Sequence, residues 1–196
     1  RGAGTLSQGE QSVGIGYWAG RDSQGVNSIA MGRSAASQRQ GTGSVAIGYL
    51  AGQYSQNIYS VALGYEAAQD SQQGKSVAIG YFAGNNSQDS SSVAIGTEAG
   101  KTSQSRNAVS IGRQAGQITQ NTKSVAIGYF AGNNSQDSSS VAIGDEAAKT
   151  SQGRNAVSIG RGTGKNNQGI QGVAIGYVTG QDNQGAGATA VGWTAG

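Results

Sequence analysis

Apolar residues fall two apart in a five-residue phrase, Ser76-Val77-Ala78-Ile79-Gly80, and the phrase returns every sixteen residues along the chain. Val and Ile alternate with Ser, Ala and Gly. That spacing is the period of a β-strand, whose successive side chains point to opposite faces. The expected arrangement puts Val and Ile inward, with Ser and Ala outward or against a closely packed neighbour. The phrase Gly stands at 16, 32, 48, 64, 80, 96, 112, 128, 144, 160, 176 and 192, with no insertion. So strict a period marks a repeat architecture. Gly at this density disfavours helix, at about 1 kcal/mol per residue relative to Ala. The predicted fold is all-β: a parallel β-solenoid, or β-roll, of twelve 16-residue coils, each with two short strands. Successive coils should stack about 4.8 Å apart. The Gly column and the Ala-Gly pairs after it, as at Ala83-Gly84 and Ala131-Gly132, supply corners that need positive φ or close approach.

Residues 76–123 and 124–171 are near copies, both opening SVAIGYFAGNNSQDSSSVAIG, so three units have been duplicated as a block. No linker or composition shift interrupts the pattern, and residues 1–196 read as a single solenoid domain. Both ends fall part-way through a unit. The segment is therefore expected to be an excerpt of a longer fibre, or a block that stacks head to tail.

A polar column is as regular as the apolar one. Gln recurs at Gln8, Gln24, Gln40, Gln56, Gln72, Gln88, Gln104, Gln120, Gln136, Gln152, Gln168 and Gln184. Two structural readings stand: an amide ladder in which each side chain bonds its neighbours in adjacent coils, or a cap on backbone at a corner. Tyr17, Trp18, Tyr49, Tyr65, Tyr81, Phe82, Tyr129, Phe130, Tyr177 and Trp193 all follow the Gly corner. They form a broken stripe, read either as packing between coils or chains or as a surface stacking on sugar rings. Tyr54 and Tyr59 lie elsewhere. Asp145 and Arg161 share a column in adjacent coils, Glu98 lies beside Arg113, and Lys149 stacks on Lys165, which requires a well-solvated edge.

Composition narrows the functions. Gly makes up 35 of 196 residues, only 12% are charged, and Pro, Cys and His are absent. Without His or Cys, Ser-His and Cys-His catalysis and the usual zinc sites are excluded, so no enzyme, cofactor or metal is expected. The net charge of +3 is scattered, giving no block suited to nucleic acid, and no apolar run is long enough to enter a membrane. Gly96 to Thr102 looks like a phosphate loop but is one residue short of it. Asn85 and Asn133 begin glycosylation sequons. The half-coil Asn85–Ser91 carries no apolar residue. Chains are therefore expected to share a core, with the small Ser/Ala face pressed against a symmetry mate.

The phrase Ser-Val-Ala-Ile-Gly followed by x-x-Ala resembles the head repeat of YadA-type trimeric autotransporter adhesins, and the AIGxxAG arrays of phage and viral fibre proteins. The likeness lies at Ser44–Gly52, Ser76–Gly84, Ser92–Gly100, Ser124–Gly132 and Gly172–Gly180 and, more loosely, in every unit. It implies a left-handed roll, three chains around one axis, and an extracellular, cell-surface or virion location. The function it implies is a non-enzymatic fibre segment, head or shaft, mediating attachment to a host-surface glycan or matrix protein. A self-assembling filament of coils stacked end to end is the alternative. An ice-binding solenoid fits less well, because Thr is scattered, as at Thr42, Thr97, Thr119 and Thr122.

Overall fold

Three-residue strands form wherever the phrase occurs, from Val13–Ile15 to Val157–Ile159; the last two, Val173–Tyr177 and Thr189–Trp193, are longer. The computed structural model describes residues 2–196 and contains no helix among them. All twelve phrase strands join in one parallel sheet, each hydrogen-bonded to the strands sixteen residues before and after it. Val77 pairs with Val61 and Val93, and Ile79 with Leu63 and Ile95. The molecule is a parallel β-solenoid of about eleven turns.

The second wall is built from the Ser-Gln pairs. Two-residue strands such as Ser55–Gln56 and Ser71–Gln72 form a four-stranded sheet, and Ser103–Gln104, Thr119–Gln120 and Ser135–Gln136 a three-stranded one. Single parallel bridges, such as Gln72 to Gln88 and Gln88 to Gln104, connect the two pieces. This wall is short because both flanks turn immediately.

Each coil has two corners, and left-handed backbone makes both. In the coil that begins at Ser76 the residues concerned are Gly80 (φ 133°), Phe82 (φ 55°), Gly84 (φ 54°) and Ser91 (φ 59°). Only the first of these columns is Gly in every coil. A Cβ on Gly80 would lie 2.6 Å from the carbonyl oxygen of Gly96, so backbone in the next coil occupies the space. At the other three positions L residues recur, Ala36, Ala68 and Ala148 among them, each at about 1 kcal/mol or more of local strain. The corners remain fully bonded: Phe82 N donates to Tyr65 O (3.0 Å) and Gly84 N to Ala99 O (2.9 Å).

The two faces of the phrase strand are the reverse of the expected ones. Ala46 is wholly buried whereas its neighbour Ile47 is 39% exposed. The interior consists of Ala, Ser and Gln. Ala30, Ala46, Ala62, Ala78 and Ala94 line one wall, and Ala19, Ala35, Ala51, Ala67 and Ala83 the adjoining corner, all inaccessible to solvent. Val and Ile form the outer face and are half-buried or exposed in every coil. The reason is width. The walls stand close enough for a Gln side chain to reach from one to the backbone of the other, and only small residues fit between them. The Ser/Ala face is therefore the core of a single chain and cannot press against a symmetry mate.

Candidate functional site

Three columns stand out: the buried glutamines, the aromatic corner and the aliphatic outer face. From Gln24 to Gln184 each Gln Nε2 donates across the interior to a carbonyl of the phrase strand, as from Gln88 to Val77 O at 2.7 Å. Its second proton points to the carbonyl four residues on, Ser92 O in this coil (3.4 Å), and to the next glutamine. Nine amide-to-amide bonds of 3.0–3.2 Å run unbroken from Gln40 to Gln184. Ladder and backbone cap coexist in the same side chain. Gln8 is exposed, and its Nε2 donates to Ser12 O alone among the described residues. The side-chain oxygens Oε1 of Gln24 and Gln40 are buried without a partner among the described residues.

The other buried polar groups are satisfied by the same frame, as burial requires. Ser28 and Ser92 donate their hydroxyls to carbonyls three residues back, each at 2.5 Å. Ser110 and Ser158 replace the interior Ala in their coils. Their hydroxyls reach Gln120 Oε1 (2.5 Å) and Gln168 Oε1 (2.6 Å), so the ladder absorbs the change.

The aromatic corner is a stack. Tyr65 lies between Tyr49 (4.9 Å between centroids) and Tyr81 (5.2 Å), both near-parallel to it. Arg33 covers the outer side of Tyr49. Burial in this stack, with Glu66 beside it, raises the Tyr65 phenol above its usual value. Phe82 and Phe130 turn edge-on against Tyr81 and Tyr129. Lys101 and Lys149 lie over those two Phe rings at 4.9 and 4.8 Å. At the ends of the chain Tyr17 stacks on Trp18 and Tyr177 on Trp193, which is 73% exposed. The faces of Tyr65 are thus used within the chain. Tyr54 and Tyr59 are exposed singly.

The charges at this corner pair more closely than the sequence implies. Arg161 and Asp145 meet at 3.4 Å. Glu98 does not bond Arg113; it accepts from Lys101 (2.8 Å), Gln114 and Gln117. Lys149 and Lys165 do not need a solvated edge, because Glu146 stands between them at 2.6 and 2.7 Å. The Lys149 bond, with that of Lys165, pulls the Glu146 carboxyl down to about 2. Lys101 is held by Glu98, so the loop Gly96–Thr102 aims no free amine at a phosphate. Asn85 and Asn133 are almost wholly buried. Their amide nitrogens bond Glu66 O and Gln114 O, each at 2.9 Å, which closes both sequons to modification in the folded chain. No group of three or more His, Cys, Asp or Glu able to hold a metal occurs among the described residues.

Reasoning from the sequence missed the aliphatic outer face. The Val and Ile columns form an aliphatic stripe unbroken across eleven strands, and in the twelfth Thr189 takes the Val position beside Val191. A signal was present: the alternate positions hold only Ala, Ser or Gly wherever they recur, a volume limit expected of an interior. Strands Ile29–Met31 and Val45–Ile47 carry this pattern in register, two turns of one wall. Residues 23–51 match the YadA head domain repeat, in two copies. The YadA-type repeat thus coincides with the turns in which Ala30 and Ala46 are buried and Ile47 faces out. No curated protein and no solved structure gives a significant match to the chain.

Proposed function

We propose that the chain is a non-enzymatic segment of an adhesin-type fibre at a cell surface, self-associating through its aliphatic face and offering its aromatic corner to an external partner. The observation that carries this reading is the outward Val/Ile stripe. A row of half-exposed aliphatic side chains on twelve successive strands exceeds what a lone soluble chain ordinarily exposes in one patch. A second copy covers it without new chemistry. The YadA-type repeat supports the same reading, since its family is one of non-enzymatic, trimeric surface adhesins. Three copies around one axis is the arrangement proposed. The interior contributes rigidity, because each turn is bonded to the next through backbone and glutamine amides.

The attachment surface proposed is the corner from Tyr49 to Phe82, with its repeats at Tyr129, Phe130 and Tyr177. The rings of Phe82 and Phe130, each with a Lys ammonium beside it, are suited to a glycan or to a matrix protein. Binding to a glycan array and to matrix proteins tests it. Replacing Tyr81 and Phe82 together with Tyr129 and Phe130 by Ala should abolish binding, and unchanged binding would remove the corner from the account.

A further inference from the structure

The aliphatic stripe is nearly identical in every coil, so by itself it cannot fix how far one copy slides along another. Its two margins are not identical. Just before each strand stands a residue of the left-handed column, and just after the phrase Gly stands one of the aromatic column; in one coil these are Lys75 and Tyr81.

The two margins vary together. Arg occurs in the second column at Arg33, Arg113 and Arg161, and in those strands alone the first column holds Asn: Asn27, Asn107 and Asn155. Thr97 and Asp145 are preceded by Ser91 and Ser139, and both lysines of the first column, Lys75 and Lys123, precede a Tyr. Asn27 and Arg33 lie outside the duplicated block, so copying does not account for that pair. The left-handed backbone does not select the pattern either, because Ser, Lys, Gln and Tyr occupy the column at similar φ. Within one chain the members of a pair stand six residues apart along extended backbone, up to about 20 Å, and cannot touch.

We infer that parallel copies of this chain meet margin to margin at the same strand level, the left-handed column of one against the aromatic column of the next, and that these pairs set the axial register. The inference rests on the self-association proposed above, and it takes the aromatic column into the contact between copies, leaving Phe82 and Phe130 of that corner to the external partner. Rotation about an axis parallel to the rod brings these two margins together whether two or three copies surround it. Asn amides then meet Arg guanidiniums, Ser hydroxyls meet Thr97 or Asp145, and Lys ammoniums meet Tyr rings, each a complementary pair. A one-turn slip in one direction sets Lys123 against Arg113 and parts all three Asn from their Arg partners. Discrimination against the wrong register needs such a mismatch, since the stripe supplies none.

Cysteine cross-linking tests it in the whole chain, which has no Cys of its own. The double variant Asn107→Cys/Arg113→Cys should oxidise to a covalent multimer, with each single variant remaining a monomer on a denaturing gel. No bond can form within one chain, because Cα atoms more than about 7 Å apart cannot be bridged. The exposed pair Ser91→Cys/Thr97→Cys repeats the test at a second level and serves if the first variant folds poorly. Efficient bridging by the one-turn offset pair Asn107→Cys/Tyr129→Cys in place of the in-register pairs would overturn the register. A chain that sediments as a multimer yet bridges in none of these variants would overturn the margin contact while leaving self-association intact. A chain that sediments as a monomer would remove both.

Discussion

Gln72 Nε2 lies 3.0 Å from Gln88 Oε1, one coil above it, in an interior that excludes solvent. A buried amide is costly unless its donors and acceptor are all used. Gln88 uses them on Val77 O, Ser92 O, Gln72 and Gln104. Replacing Gln88 with Leu strands groups in three coils and is expected to cost roughly 2–4 kcal/mol in urea unfolding. The same change at exposed Gln8 should stay within about 0.5 kcal/mol.

Glycines in the two corner columns should respond differently. Gly80→Ala places a Cβ against the Gly96 backbone and should unfold the chain or lower its melting temperature sharply. Gly84→Ala should be mild, because Ala36, Ala68 and Ala148 already occupy that column with φ near 50°. Thermal melts of the two variants check the contrast. Similar losses would mean that coil-to-coil approach is not what fixes the Gly80 column.

Acid should loosen the chain around Glu146. Its carboxyl falls from 4.5 to about 2 in the folded chain because Lys149 and Lys165 both bond it. A depressed folded value contributes stability that is complete above the unfolded value and is lost as pH falls. The loss therefore runs from about pH 4.5 down to 2. Glu98 contributes in the same direction through Lys101. Glu146→Gln should reduce the acid slope in a pH series of melts, with little change in shape above the window. An unaltered slope would assign acid lability elsewhere.

The period, the parallel stacking and the corner glycines were legible because each coil repeats the same backbone demands. Which face is inside was not. Alternation of Val77 and Ile79 with Ser76 and Ala78 is symmetric between the two choices, and hydrophobicity alone favours the wrong one. Volume decides instead: Gln88 reaches across to Val77 O, and a gap that narrow holds Ala78 but no Ile. The Gln column was legible as a column, yet its bond to the opposite wall needed the coil's cross-section. The bridging of Lys149 and Lys165 by Glu146 was hidden because left-handed backbone at Glu146 turns its side chain toward the corner column. The stacking of Tyr49, Tyr65 and Tyr81 follows from their common column, and it takes the ring faces of Tyr65 out of the proposed contact.

The decisive measurement is sedimentation velocity, paired with circular dichroism, on the chain bearing Val61→Thr, Val77→Thr and Val93→Thr together. These changes keep shape and remove apolar surface from the outer face alone. The unaltered chain should sediment as a multimer and the triple variant as a folded monomer with the same β spectrum. Ala78→Val, which crowds the interior, should instead cost about 1–3 kcal/mol of stability. If the Val→Thr variant loses its β spectrum while Ala78→Val leaves the chain intact, the aliphatic side chains form the core of one chain and the account is wrong.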